Sequence, residues 1–141
     1  FAVLTQTLKN TIPLIYSGQE EPFLDSLSFF YKDTLHFGKY ERASFYKKLL
    51  RLRKNNDALS ADANFKRIKV GDEKSVYAFT RDKGKNKILV IVNLSKQPQK
   101  IMISEPSLQT NAIEIFQNKS ATLSAKAWVM NAWGYAVYEF K

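Results

Sequence analysis

The sequence predicts an α+β chain in two unlike parts. Residues 1–59 read as a helix, a strand and a second helix, and residues 60–141 as an all-β domain, an antiparallel sandwich with Greek-key-like connections. Three observations carry this. Apolar residues recur at helical spacing near Phe1 and again after Glu41; TIPLIYSGQE, residues 11–20, reads as a short buried strand; and from Asn64 onward short apolar runs alternate with turn residues.

The first helix is predicted over residues 1–9, FAVLTQTLK, where Phe1, Leu4 and Leu8 share one face and Lys9 and Asn10 suit a C-terminus. A strand over residues 12–17 follows almost at once, and a helix joined to a buried strand by so short a loop is half of a βα repeat. The next stretch, EEPFLDSLSFFYKDTLHFGKY, is too apolar for a free linker, with Phe23, Leu24, Leu27, Phe29, Phe30, Leu35 and Phe37. It is expected to pack over something.

A second helix is predicted over residues 41–55. At about 100° per residue from Phe45, the side chains Leu52, Leu49, Tyr46 and Leu50 fill one arc and Lys54, Lys47, Arg51 and Lys48 the opposite one. Arg53 falls inside the apolar arc. A guanidinium there needs a carboxylate or several carbonyls, unless its stem snorkels out past Tyr46. Glu20, at the end of the predicted strand, is the natural carboxylate, so a structural ion pair between Glu20 and Arg53 is expected.

The β domain is read from NFKRIKV, KSVYAFTR, NKILVIVNL, QKIMI, NAIEIF, ATLSA, AWVM and YAVYEF, with GDEK, DKGKN, LSKQP and SEPS as turns. NKILVIVNL is apolar on both faces, which marks a central strand. YAVYEF, with Tyr135, Val137 and Glu139 on one face, closes the fold.

Composition narrows the function. The chain has 141 residues, 45% of them hydrophobic, and no cysteine, so neither a disulfide nor a thiolate metal site is possible. That suits a cytoplasmic or a bacterial extracytoplasmic setting equally. The longest apolar run, Ile88 to Val92, is far too short for a membrane span. The first residue is Phe1 rather than methionine, so a trimmed N-terminus and a lost signal peptide are expected. A net charge of +9 raises nucleic acid as a partner, but the densest basic run, KKLLRLRKNN, is explained by helix amphipathicity and no nucleic-acid motif accompanies it.

Catalytic candidates are few. His36 is the only histidine, which leaves little for a Ser-His-Asp or His-metal arrangement. Glu20 and Glu21 sit where α/β enzymes place their sites, but neighbours in sequence point apart and make a poor general acid/base pair. Trp128, Trp133, Tyr135, Tyr138, Tyr16, Tyr31 and Tyr40 are of the type that stacks on sugars, although core packing is the commoner use of aromatics in a small sandwich.

PLIYSGQE, then SFYKKLLRLRKNNDAL, then a β domain with VYAFTR and ILVIVNLS resembles the C-terminal end of an α-amylase-family glycoside hydrolase. There the last strand and helix of a (β/α)₈ TIM barrel precede an antiparallel β-sandwich called domain C. Pro13, Ile15, Tyr16, Gly18 and Glu20 fit the family's eighth strand, with Thr11 in place of its usual glycine. Leu52, Arg53 and Asn56-Asp57-Ala58-Leu59 fit the last helix, with Asp57 where proline is usual. The resemblance implies that residues 1–59 are a barrel remnant and residues 60–141 are domain C. The catalytic carboxylates would then lie on strands preceding Phe1, so none falls on a residue of this chain. It further implies an α-glucan substrate (starch or malto-oligosaccharides) reached through the missing barrel, contact with the rest of the same polypeptide and no cofactor. Calcium would bind in parts absent here, and the exposed remnant would tend to self-associate. The alternative is a stand-alone carbohydrate-binding β-sandwich module.

Overall fold

The computed structural model describes residues 1–21, 23 and 26–140. Helix α1 covers Ala2–Thr7 and helix α2 covers Ala43–Asn55. Eight strands follow: β1 Asn64–Ile68, β2 Val76–Lys83, β3 Asn86–Asn93, β4 Gln99–Ile101, β5 Asn111–Glu114, β6 Lys119–Thr122, β7 Trp128–Met130 and β8 Tyr135–Phe140. Each falls within or beside one of the eight apolar runs, because alternation with period two fixes which residues face inward.

Six strands form one antiparallel sheet in the order β1-β2-β3-β8-β5-β6, and β4 pairs with β7 in a small second sheet. Strand β3 is central, and β8 lies inside the sheet between β3 and β5. The large sheet buries both faces. On one face Val76, Ala78, Leu89, Ile91, Ala136, Tyr138 and Phe140 pack with Ile101 and Met130 of the small sheet, which makes the sandwich. On the other, Phe79, Ile88, Val90, Val92 and Val137 pack against Val3 of α1 and Leu49, Leu52, Ala58 and Leu59 of and beyond α2. Residues 1–59 and 60–141 therefore share a core. Completely burying one such side chain contributes roughly 1.5–3 kcal/mol.

Helix α2 keeps most of its predicted face: Tyr46, Leu49 and Leu52 are buried, while Leu50 is exposed. It stops at Asn56, whose extended backbone (φ −126°, ψ 111°) breaks the helix while its side chain accepts from the Ala58 amide at 3.0 Å. Asn56 also donates to Glu139 Oε1 at 2.7 Å, joining the helix end to β8. A second tie is a three-ring cluster. Phe45 stacks on Phe116 at 5.2 Å, and Tyr135 meets both edge-on at 5.5 and 4.8 Å.

Three expectations for residues 1–59 need correction. Residues 12–17 are not a strand: the segment has no strand partner among the described residues, and Ile12 and Leu14 are 93% and 70% exposed. A strand is defined by its neighbours, and an apolar pattern without them stays extended and bare. The stretch that follows was expected to be packed, yet Phe29, Phe30, Tyr31 and Phe37 are exposed. Leu24 lies outside the described residues. The first helix is also shorter than residues 1–9, since Leu8 turns extended and Asn10 enters the left-handed region at φ 59°.

Candidate functional site

The expected Glu20–Arg53 ion pair does not form among the described residues, and Arg53 is engaged elsewhere. Arg53 takes the carbonyl alternative: Nη1 donates to Gln6 O at 3.0 Å and Nη2 to Thr11 O at 3.2 Å. Those oxygens belong to the end of α1 and the loop after it, where unpaired carbonyls and the helix dipole favour a cation. Glu20 is half-buried with Oε2 left without a hydrogen-bond partner.

The neighbouring Glu21 is the anchoring carboxylate. It is 3% exposed and accepts three backbone amides, from Gly38 at 2.8 Å, Tyr40 at 3.0 Å and Lys39 at 3.2 Å. Burial pushes its pKa up, but the three amides and the Lys39 charge outweigh that and hold it below the usual carboxylate range. The turn that aims it is tight: Gly18 sits at φ 92°, and the Glu21 amide donates to Gly18 O at 3.1 Å. Which of two adjacent glutamates turns inward depends on that turn, which no local pattern of residues reveals.

A second buried cation was missed altogether. Arg81 of β2 is 1% exposed, and its Nη1 donates to Thr7 O at 3.3 Å, Leu8 O at 3.4 Å and Leu59 O at 3.5 Å, while Nη2 donates to Ser60 O. Desolvation and the nearby Arg53 charge lower its pKa. Its Nε and the side-chain amide of the buried Gln6 have no partner. The signal was available. Arg81 has the same parity in VYAFTR as Tyr77 and Phe79, and so belongs to the inward face.

Arranged this way, the charged groups near α2 hold structure together and do not converge on a reaction centre. A groove of about 520 Å³ runs along α2, lined by Ile15, Ala43, Tyr46 and Leu50 with Glu20 at one side and Lys47, Arg51 and Lys54 around it. Glu20 and Glu21 do not face a common space: one borders this groove and the other is consumed by backbone amides. Among the described residues no three His, Asp or Glu side chains are grouped to hold a metal ion, and His36 is exposed. No helix among the described residues is long and apolar enough to cross a membrane.

The aromatics divide by environment. Tyr135 belongs to the three-ring cluster, Tyr138 is buried at 9% exposure, and Trp128 is half-buried. Trp133 is 59% exposed and held at φ 56°, with its amide donating to Ser95 O at 3.0 Å. Tyr16, Tyr31 and Tyr40 are all exposed in residues 1–59.

Comparison with known proteins agrees with the β domain. Residues 76–135 match the family model described as the alpha-amylase SusG C-terminal domain. No curated protein matches the chain. Among solved structures, a noncanonic maltogenic alpha-amylase, AmyB from Thermotoga neapolitana, is similar at a TM-score of 0.78 and 17% identity, over 99% of this chain and 35% of that one. An Anoxybacillus alpha-amylase is similar at a TM-score of 0.59 and 15% identity, over 72% of this chain and 22% of that one. The MUTB F164L mutant from crystals soaked with trehalulose gives a TM-score of 0.53 at 24% identity, over 69% and 17% of the two chains. Such identities speak to fold alone, and this chain spans about a third of the AmyB chain, 35%, and less of the other two. The family match falls on β2 through the start of β8, so it and the structural likenesses agree on the β domain.

Proposed function

We propose that this chain is a non-catalytic region of an α-glucan hydrolase, in which residues 1–59 complete a (β/α)₈ barrel and residues 60–141 brace it. The observation that supports this reading best is the state of residues 12–16. Ile12, Leu14 and Tyr16 are 93%, 70% and 57% exposed on one side of an extended segment, beside the apolar groove along α2. Monomeric proteins rarely leave so much contiguous apolar surface open, and a strand edge flanked by an open groove suits neighbouring strands and helices as its cover. Bracing would run through Arg81, Arg53 and Asn56, which tie the two helices to the sheet and to the loop after α1.

On this reading the domain neither hydrolyses nor transfers glucose units by itself. Incubating the chain with maltoheptaose should leave the substrate intact, and release of shorter sugars would remove the non-catalytic assignment. The coding sequence ahead of the Phe1 codon supplies the second test. Seven βα repeats, with carboxylates after the fourth, fifth and seventh strands, are expected there; a start codon directly before Phe1 would instead favour a free-standing carbohydrate-binding module.

A further inference from the structure

Helix α2 has two working faces. Tyr46, Leu49 and Leu52 are buried, the two leucines in the core shared with the sheet, and the groove of about 520 Å³ follows the stripe beside them. On the helix that stripe is Ala43, Tyr46, Lys47, Leu50, Arg51 and Lys54, spaced i, i+3, i+4, i+7, i+8 and i+11. Such spacing tracks one side of a helix for about three turns, roughly 16 Å. Rows at these offsets are the ridges and grooves into which a second helix packs, and the small Ala43 lets its axis come close. A strand, rising about 3.3 Å per residue, has no matching repeat.

Charge is sorted along the groove. At about 100° per residue, Tyr46, Leu50 and Ala43 hold one side of the stripe and Lys54, Lys47 and Arg51 the other. These three cations are exposed, and no ion pair engages them among the described residues. The rest of the lining is Ile15 and Glu20, from the segment before the helix. Glu20 lies by the helix start, where its carbonyl accepts the Arg42 amide at 2.9 Å. Its charge reaches the Tyr46 phenol, whose pKa burial raises, Arg42 lowers and Glu20 raises again. The Glu20 Oε2 atom is buried without a hydrogen-bond partner, a costly state for a carboxylate oxygen. Glu20 therefore calls for a donor at one end of the groove, and the cations call for carboxylates along its flank.

We propose that the groove seats one amphipathic helix of about three turns, with apolar side chains over Ala43, Tyr46 and Leu50, an arginine or lysine at Glu20, and carboxylates along Lys47, Arg51 and Lys54. That this helix belongs to the same polypeptide, ahead of Phe1, rests on the hydrolase reading above. The opposed charges select its direction as well as its face, because a reversed helix sets cation against cation.

The probe is a peptide of about 14 residues, lactam-bridged so that it is helical when free, with leucines, an arginine and glutamates in that pattern. Added to the isotope-labelled chain, it should shift the amides of Glu20 and of residues 43–54 saturably, with a dissociation constant on the order of 100 µM. Replacing its arginine with norleucine should weaken binding about tenfold. Glu20→Gln in the chain should weaken the arginine peptide similarly, and both changes together should cost little more than either alone. Lysines in place of the glutamates should abolish binding, and K47E/R51E/K54E, at exposed positions, should restore it. No saturable binding of the arginine peptide, or binding that norleucine and Glu20→Gln both leave unaltered, overturns the inference and leaves the hydrolase reading standing. The expected peptide binding together with a start codon directly before Phe1 keeps the helix site and overturns its assignment to the same polypeptide.

Discussion

Arg81 Nη1 lies 3.3 Å from the carbonyl of Thr7, a hydrogen bond between residues 74 positions apart. It fastens the second strand of the sheet to the C-terminus of the first helix, and the same guanidinium reaches Leu8, Leu59 and Ser60. No carboxylate shares the task. Neutralisation comes from carbonyl dipoles, which is what the end of a helix offers.

Arg81→Met tests that arrangement. It keeps the apolar stem, removes the cost of burying a charge, and leaves buried carbonyls at Thr7 and Leu59 unpaired. An unpaired buried group costs about 1–3 kcal/mol, so a net loss of about 2 kcal/mol is expected. Urea unfolding with an unchanged m-value would record it. A variant as stable as the parent would show that the carbonyls find other partners when the arginine leaves.

Glu21 gives a prediction in pH. Its folded pKa lies below its unfolded value, so its contribution is present above about pH 4.5 and fades as pH falls through the folded pKa. The Gly38, Lys39 and Tyr40 amides should exchange slowly at neutral pH and progressively faster as the carboxylate protonates. In Glu21→Gln one of the two carboxylate oxygens becomes a donor, so part of that protection should be missing at every pH. Equal exchange at pH 7 in parent and variant would show that the carboxylate does not hold this loop.

The strands were legible because alternation is local, and Leu89 and Ile91 or Ile88, Val90 and Val92 declare their faces within β3 alone. Helix α2 was legible for the same reason at a different period. What could not be read were features that depend on partners. Residues 12–17 have a strand's composition and lack neighbours to make them one. Arg53's place on the apolar arc calls for a carboxylate or carbonyls, and only the fold brings the end of α1 against it. The choice between Glu20 and Glu21 was set by the turn around Gly18.

The turn entering β8 offers a steric prediction. A Cβ added at Gly134 would lie 2.7 Å from both Asn131 O and Met130 Cγ, and Asn131 O already accepts the Gly134 amide at 2.9 Å. The Met130 side chain has room to move only by disturbing the sandwich core, and the backbone oxygen has none. Gly134→Ala should therefore destabilise by about 1–3 kcal/mol. It should also shift the Trp133 signals in NMR, since that residue is held at φ 56° by the same turn. A melting temperature matching the parent's would mean that the turn relaxes freely.

Residues 12–16 provide the test that bears most directly on function. Ile12 and Leu14 are so exposed that replacing both with lysine should change folding stability by less than about 0.5 kcal/mol. Association should respond strongly. The parent chain, despite the mutual repulsion implied by a net charge of +9, presents an unpaired apolar edge beside an open groove, and its weight-average mass in sedimentation should rise with concentration. The lysine pair should keep the chain monomeric by charging that edge. If the parent is itself monomeric at all concentrations and its Ile12–Tyr16 amides resist hydrogen exchange, the segment finds its cover within the chain. A barrel remnant would then be the wrong account of it. If instead association is strong and the double lysine variant abolishes it without loss of stability, the edge behaves as an interface awaiting strands and helices, as expected for a domain that braces a larger enzyme.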